Sequence, residues 1–189
     1  MNKLIKRLLS VFYCALYGVK HGKCCLIGFH FKVVKSKGGS FIIGNDVEIS
    51  SDSLFMLVKP FAKICIGNRA RIARHFQISS AFDVQIGNNV NIAPYVFCGD
   101  HNHKYEDVST PIRDQGIETG KIGHIIIGDD TWIGTKVSII GNVKIGRHCV
   151  IGANSVVSKD IPDYCVAAGI PAKVIKQYNF ESKEWEKKK

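Results

Sequence analysis

The chain has 189 residues, of which 46% are hydrophobic and 22% are charged. This balance is that of a soluble globular domain with a sizeable core, and it excludes a mainly disordered chain. The formal net charge of +10 favours an anionic surface such as phospholipid, nucleic acid or acidic glycan, although a merely basic exposed face explains it equally well.

Seven cysteines are spread along the chain without a CxxC pair and without the spacing of a zinc site. Their number is odd, and no convincing export-signal cleavage site follows the N-terminus. These features favour reduced thiols in the cytoplasm. Most of the cysteines are expected to serve as small buried apolar residues; they occupy positions 14, 24, 25, 65, 98, 149 and 165.

The first twenty residues, MNKLIKRLLSVFYCALYGVK, combine apolar residues at helical spacing with three basic residues among the first seven. The apolar run from Leu8 to Val19 is too short to span a bilayer. The first acidic residue is Asp46, so this end of the chain is uniformly basic. We expect residues 1–22 to form an amphipathic helix that either packs on the following domain or lies on a membrane surface.

From residue 43 the chain follows a six-residue repeat: IGNDVE, IGNRAR, IARHFQ, IGNNVN, IAPYVF and, after a break, six successive units from Ile127. Position one is always Ile or Val, position two is mostly Gly, and position five is mostly small or β-branched. If positions five, six, one and two form a short strand, five and one point to one side, and six and two to the other. Positions three and four, rich in Asn, Asp, Arg and Lys, then form corners.

A strand of this length with a bend every six residues leaves no room for a chain reversal. The chain is therefore expected to wind into a solenoid, in which each coil stacks its inward Ile on the Ile of the next coil. A small residue at position five suits the tight interior beside a corner, and Phe76 is large for that place.

The repeat is broken at CGDHNHKYEDVSTPIRDQG, residues 98–116, which carries His101 and His103. Ile127 comes 29 positions after the last residue in register where the repeat requires 6, so the insertion, bounded at 99–124, adds 23 residues. An insertion of this length in a compact repeat is usually functional or disordered, and its turn residues argue against disorder. The histidines are compatible with a metal site, a catalytic base with a neighbour, or a solvent-exposed loop.

Continued in phase, the repeat places Cys98 inward and Asp100 and His101 at a corner. Two histidines one residue apart could both reach a metal ion, but no third ligand is evident and no metal is expected. The competing interpretation is a base that takes a proton from a hydroxyl, since imidazole titrates near neutrality. Its second nitrogen needs an acceptor, for which Asp100, Glu106 and Asp107 are all near in sequence.

The unbroken repeat resembles that of the left-handed parallel β-helix acyltransferases, in which three hexapeptides form one coil. The stretch GDHNH, the later Pro111-Ile112 and Gln115-Gly116, and the downstream WIGTKVSI and AAGIPAKVIK resemble the sugar and polysaccharide O-acetyltransferases related to galactoside and maltose acetyltransferases. The resemblance implies a mainly β fold, with a left-handed parallel β-helix over residues 23–176 and a charged tail over 177–189, expected as a helix or a frayed end. His124 departs from the pattern, because relatives commonly carry Pro there.

The same resemblance implies functional roles. The histidine that opens the loop is the general base in the family; His101 takes that place, with His103 two residues further on. Asp100, Gln115 and Trp132 are expected to contact the acceptor. The outward Trp132 is expected near an active site between subunits of a homotrimer, or else as a surface residue under its own loop. In the family, backbone amides bind the pantetheine arm of acetyl-CoA and lysines meet its phosphates. The corresponding residues here are Thr135, Ala153, Ser158, Lys159, Lys173 and Lys176.

Together with the resemblance, these residues predict an acetyl-CoA-dependent O-acetyltransferase that acts on a sugar hydroxyl of a bacterial surface polysaccharide or its lipid-linked precursor. A cytoplasmic enzyme with peripheral membrane contact through residues 1–20 is expected. An N-acetyltransferase of an amino nucleotide sugar is the nearest alternative, and a non-catalytic scaffold is an alternative of another class. Nucleic-acid binding is suggested only by charge, since no recognised module supports it.

Overall fold

A computed structural model of the protein describes residues 3–118 and 123–188, and it shows a parallel β-helix that follows an N-terminal helix, α1 (Lys3–Tyr17). The described residues form six coils, and the first, second and third strands of the coils build three faces, here called A, B and C. In chain order the strands are β1 (Lys20–His21), β2 (Leu26–Ile27), β3 (Lys32–Lys35), β4 (Ser40–Ile43), β5 (Glu48–Ile49), β6 (Leu54–Leu57), β7 (Lys63–Ile66), β8 (Arg71–Ile72), β9 (Gln77–Ser80), β10 (Asp83–Ile86), β11 (Asn91–Ile92), β12 (Phe97–Gly99), β13 (His124–Ile127), β14 (Trp132–Ile133), β15 (Ser138–Ile140), β16 (Val143–Ile145), β17 (Val150–Ile151) and β18 (Val156–Val157).

Neighbouring strands within each face are parallel and keep the register of the repeat. On face A, for example, Ile66 pairs with Ile43 and with Ile86, and Ile86 pairs with Ile127 across the insertion. The predicted parallel β-helix is therefore confirmed. Coiling begins at Lys20, slightly before the expected domain boundary at residue 23.

The interior is filled by the side chains at positions one and five of the repeat. Every position-one residue from 43 to 157 is at most 2% exposed, and every position-five residue is at most 4% exposed. Phe76, large for its position, is fully buried and packs edge-on against Phe55, which also contacts Phe31 and Phe41. The N-terminal coils thus hold an aromatic core, whereas the later coils stack aliphatic side chains.

All seven cysteines are unpaired. Five of them are buried, and the sequence predicted burial for most of them. Burial raises the pKa of the Cys98 thiol to about 12. Because the thiolate is the reactive form, Cys98 is not a nucleophile near neutral pH, although it lies only three residues before His101.

An amide ladder closes the corner between faces A and B. The side-chain oxygens of Asn45, Asn68, Asn88 and Asp129 each accept a hydrogen bond of 2.7–2.8 Å from the backbone N–H at the same place one coil earlier. Nine of the eleven hexapeptides also place a non-glycine residue with φ between 52° and 63° at position four. The polar corner positions therefore turn the chain and join successive coils.

Helix α1 covers the N-terminal end of the β-helix with the side that carries Ser10, Cys14 and two tyrosines. Ser10 Oγ accepts a hydrogen bond from the Ile27 N–H at 2.8 Å and lies 2.9 Å from the Cys25 carbonyl oxygen. It thereby pairs backbone groups of the first coil, which no earlier coil covers. Tyr13 packs on Phe31 with ring centroids 5.8 Å apart. None of the helices in the described ranges is long and apolar enough to cross a membrane.

The C-terminal segment forms a β-hairpin, so the expectation of a helix or frayed end was wrong. Strand β19 (Cys165–Gly169) extends face B, and β20 (Ala172–Asn179) and β21 (Glu184–Lys187) fold back as antiparallel strands. Tyr178 packs on Trp185 with centroids 5.5 Å apart. The charged residues that suggested a solvated helix occupy the exposed positions of these strands.

Candidate active site

The corner between faces C and A differs from the other two corners because its length varies. Each turn from A to B and from B to C uses four residues, whereas the turns from C to A within the six coils use between two and twenty-four. The longest connection, residues 100–123, is the insertion that the sequence placed at 99–124. It carries α2 (Ile112–Gln115) and begins with Asp100 and His101, so the histidine leaves the β-helix at a corner as predicted.

Asp100 is the buried centre of this corner. Its carboxylate accepts hydrogen bonds from the N–H groups of Ala81 at 2.7 Å and Phe82 at 3.0 Å, and from Ser80 Oγ at 2.8 Å. Its side chain has no exposed surface. The Asp100 side chain is therefore engaged by its own fold, and its expected contact with an acceptor sugar stays a prediction.

His101 uses the remaining contact of that carboxylate. Its Nδ1 lies 3.1 Å from Asp100 Oδ1, and its side chain is 9% exposed. Burial alone would raise the pKa of Asp100, but the hydrogen bonds from His101, Ala81, Ser80 and Phe82 outweigh it and hold the pKa below its ordinary value. The carboxylate is thus ionised at neutral pH, so Nδ1 carries the proton and Nε2 carries the lone pair.

The other two acidic residues considered as partners of the base are engaged elsewhere. Asp107 accepts hydrogen bonds from Ser109 and Thr110, which lower the pKa of Asp107 to about 2. Glu106 accepts one from the Tyr105 N–H. Of the three neighbouring carboxylates, Asp100 is therefore the one that orients His101.

His103 lies on a short ladder inside the loop. It forms an antiparallel bridge with Ile117, flanked by hydrogen bonds from Lys104 N–H to the Gly116 carbonyl and from Glu118 N–H to the Asn102 carbonyl. The ring centroids of His101 and His103 are 6.4 Å apart, and the residue His103 is exposed. The two histidines are therefore neighbours with different surroundings, and only His101 has a carboxylate partner among the described residues.

Gln115 holds the loop together. Its Nε2 donates to the carbonyl oxygens of Asp107 and Thr110, both at 2.8 Å, and its Oε1 accepts from the Asp107 N–H at 3.3 Å. Both N–H bonds of the amide are used within its own loop, while Oε1 keeps one lone pair. Gln115 therefore shapes the loop, and its expected contact with the acceptor stays a prediction.

Trp132 points outward from face B and is 52% exposed, as its repeat position predicted. Face B is the face opposite the corner that carries His101, so one chain alone does not bring these two residues together. Trp132 instead shares a shallow groove with Lys176, His148 and Trp185. Trp185, which the sequence did not single out, belongs to the unexpected C-terminal hairpin.

Two of the residues expected to bind acetyl-CoA lie one above the other at the corner between faces B and C. Within the described residues, the backbone N–H groups of Thr135 and Ala153 have no hydrogen-bond acceptor. Most of the corresponding N–H groups between faces A and B are instead capped by the amide ladder, although Asp129 N–H has no acceptor among the described residues. The corner between B and C offers backbone donors on two successive coils to a bound ligand.

The remaining four residues expected at acetyl-CoA do not join this pair. Ser158 and Lys159 are exposed at the next corner, beyond β18, while Lys173 and Lys176 lie on β20. Lysines near the C-terminal end offer positive point charges for phosphates. In a single chain the first two residues lie at the C-terminal end of face C and the two lysines of β20 lie at the C-terminal end of face B, so the four do not form one cluster.

His124 begins β13 where the loop returns, and its Nδ1 lies 3.5 Å from Asp83 Oδ2. The return is tight, since a Cβ on Gly123 would run into the carbonyl oxygen of Asp100. Residues 3–118 and 123–188 contain no group of three or more His, Cys, Asp or Glu side chains placed to share a metal ion.

A family model described as Bacterial transferase hexapeptide (six repeats) matches residues 124–159. The chain is 39% identical over 128 residues to the putative lipopolysaccharide biosynthesis O-acetyltransferase WbbJ of Escherichia coli (strain K12), a match that covers 66% of this chain and 65% of that protein. Matches to the most similar curated relatives span 36% to 65% of those proteins' lengths, which is less than two thirds.

A solved galactoside acetyltransferase in complex with coenzyme A is 31% identical, with a TM-score of 0.59 over 84% of this chain and 70% of that chain. The N-acyltransferase AntD from Bacillus cereus, solved with dTDP and 3-hydroxybutyryl-CoA, superimposes with a TM-score of 0.73 over 92% of this chain and 90% of that one. At 22% identity, AntD shows a shared fold alone. The coils, the repeat and the similarity to the galactoside enzyme together show that the chain belongs to the hexapeptide-repeat acyltransferase family.

Proposed function

We propose that the protein is an O-acetyltransferase that moves the acetyl group of acetyl-CoA to a sugar hydroxyl, with His101 as the general base. The observation that carries this proposal is the buried Asp100 carboxylate, which fixes the His101 proton on Nδ1. Nε2 takes the hydroxyl proton as the oxygen attacks the thioester carbonyl carbon. The tetrahedral intermediate then expels the CoA sulfur, which receives that proton and leaves as the thiol.

The acetyl donor is proposed to lie along the corner between faces B and C, where the N–H groups of Thr135 and Ala153 are available. Ser158, Lys159, Lys173 and Lys176 surround the C-terminal end of that path and would meet the phosphates of the donor. Because Trp132 and His101 lie on opposite sides of one chain, we propose a homotrimer in which Trp132 of one subunit approaches the loop of the next.

The acceptor is proposed to be a saccharide of a bacterial surface polysaccharide or of its lipid-linked precursor. The relative WbbJ, named for lipopolysaccharide biosynthesis, supports this class of acceptor. We propose a cytoplasmic protein with residues 1–20 in peripheral contact with a membrane, which would bring it close to a lipid-linked substrate.

An acceptor screen that measures thiol release from acetyl-CoA tests the proposal. Hydroxyl-bearing saccharides should support release and His101→Ala should abolish it, while His103→Ala retains most of it. Thiol release with amino nucleotide sugars alone would reassign the chain to N-acetyl transfer. If acceptors of neither class supported thiol release, the result would point to a non-catalytic scaffold. Loss of activity in His103→Ala with His101→Ala active would overturn the assignment of the base.

A further inference from the structure

Helix α1 turns its apolar side away from the domain it covers. Its two buried residues are Ser10 and Cys14, whereas six large apolar side chains, spaced along one side of the helix, are 45–65% exposed: Leu4, Ile5, Leu8, Val11, Phe12 and Leu16. A soluble surface rarely presents such a continuous stripe unless another molecule covers it. These six residues are called the apolar stripe below.

The charged side chains of α1 are all positive. Arg7 lies next to the apolar stripe at helical spacing, whereas Lys3 and Lys6 lie on the polar side of the helix, and Lys3 and Arg7 border a hollow that Asp46 and Glu48 also line. Lys3 and Arg7 are exposed and Lys6 is half-buried. An apolar side opposite a basic polar side is the pattern of helices that lie in the surface of an anionic membrane, where long basic side chains reach the lipid phosphates.

A second copy of this chain fits the apolar stripe less well than an anionic surface. A symmetric contact through the stripe would bring together two helices that each carry three basic residues and no acidic residue, and like charges across an interface repel. A membrane-spanning arrangement is also excluded by length. The fifteen residues of α1 extend over roughly 22 Å, which is less than the ~30 Å of a hydrocarbon core.

We propose that α1 lies in the surface of a bilayer rich in anionic phospholipid, with its apolar stripe among the acyl chains and Lys3, Lys6 and Arg7 at the lipid phosphates. This inference rests on the membrane contact in the proposed function and names its lipid partner and the face of the helix that makes it. The domain then stands on the membrane by its N-terminal end, because the opposite side of α1 is fixed to the first coil through Ser10.

Vesicle flotation of the full chain, without acetyl-CoA or acceptor, tests the inference. The protein should float with vesicles of phosphatidylcholine and phosphatidylglycerol, and much less with phosphatidylcholine alone or at high salt. The variant Leu8→Gln/Phe12→Gln keeps good helix formers at exposed positions and should lower the partition coefficient at least ~10-fold. The matched control Ile42→Gln/Phe61→Gln changes two exposed apolar residues outside the helix and should bind as the wild type does.

A charge series separates the two parts of the contact. Lys3→Gln/Lys6→Gln/Arg7→Gln should weaken binding to anionic vesicles by about fivefold per cation, or ~100-fold in total. The control Lys32→Gln/Lys63→Gln/Lys144→Gln removes the same charge from exposed strand positions and should cost much less. Equal losses in both series would mean that net charge alone attracts the protein, which overturns the role of α1.

Two further outcomes would overturn the inference. The first is wild-type protein that does not float with anionic vesicles. The second is a stripe variant that binds lipid normally but sediments as a smaller assembly, which would make the stripe a contact between copies. Acetyl transfer to a water-soluble saccharide should be unchanged in Leu8→Gln/Phe12→Gln. A protein without acetyltransferase activity could therefore still float with vesicles, and a protein that does not bind lipid could still transfer acetyl to a soluble saccharide.

Discussion

Replacement of Asp100 by Asn should lower the turnover of acetyl transfer by roughly two to four orders of magnitude, the range typical of general-base catalysis. The substitution keeps the size of the side chain and removes its charge and one acceptor oxygen. Asp100 now receives four contacts: 2.7 Å from Ala81 N–H, 2.8 Å from Ser80 Oγ, 3.0 Å from Phe82 N–H and 3.1 Å from His101 Nδ1. An amide cannot accept all of them, so its orientation decides the effect.

In one orientation the amide oxygen faces Ala81 and His101, and the NH2 group faces the Phe82 N–H, which loses its acceptor. In the other, the NH2 group faces the Ala81 N–H and donates to His101 Nδ1, which moves the ring proton to Nε2 and removes the base. Each orientation leaves one buried N–H without an acceptor, at a cost of about 1–3 kcal/mol in stability. Both orientations also remove the negative charge that stabilises the imidazolium formed when the base takes the proton, and this loss affects every molecule, which accounts for the predicted size of the effect.

Thiol release at saturating acetyl-CoA and acceptor measures this loss, and thermal unfolding checks that the variant is folded. Ser80→Ala is the matched control, because it removes one hydrogen bond to the same carboxylate and leaves the His101 contact in place. It should lower stability by about 1 kcal/mol and turnover only slightly. Turnover of Asp100→Asn within twofold of the wild type, with an unchanged pH profile, would refute the orienting role.

Four further outcomes are expected. His101→Ala should lose about 10²- to 10⁴-fold in turnover and His103→Ala much less, as measured by thiol release. Trp132→Ala should raise the acceptor KM and weaken the proposed trimer in sedimentation, whereas an unchanged KM and mass would place the tryptophan outside any subunit interface. Asn68→Ala should lower the unfolding free energy by about 0.5–1.5 kcal/mol, measured in urea, because it removes the acceptor of the exposed Asn45 N–H in the ladder. Because the folded pKa of Asp100 lies below its ordinary 3.8, its stabilisation is complete above that pH and is lost as the pH falls through the folded value, so the stability gap between wild type and Asp100→Asn should close in acid.

The fold could be predicted from the sequence because its determinants repeat locally. A large aliphatic residue at position one and a small or β-branched residue at position five recur every six residues, and burial follows that count even at the oversized Phe76. The same six-residue period predicted that His101 lies at a corner of the β-helix. The C-terminal hairpin could not be predicted in this way, because β20 and β21 lack the six-residue period and are stabilised by cross-strand contacts such as Tyr178 with Trp185.

The orientation of the candidate base depended on contacts that are distant in sequence. Three carboxylates lie near His101 along the chain, and the spacing gave no reason to prefer one. Asp100 is selected because it fits under the Ser80–Phe82 turn of the previous coil, about twenty positions earlier. The same contacts satisfy the hydrogen bonds of the Asp100 side chain within its own fold, which spacing along the chain could not indicate.

The three corners of the β-helix differ in whether their backbone N–H groups are capped and in whether their length is fixed. Between faces A and B, Asn and Asp side chains cap the backbone N–H of the neighbouring coil and close the corner. Between B and C, Thr135 and Ala153 lack such a side-chain acceptor on the next coil, so their N–H groups stay available to a ligand. Between C and A no fixed turn is kept, so an insertion can leave and return without disturbing the register of face A, where Ile86 still pairs with Ile127. The proposed donor site on one edge of face C and the proposed base on the other therefore leave the repeat unchanged, since the first needs corner positions without an Asn or Asp cap and the second needs an insertion.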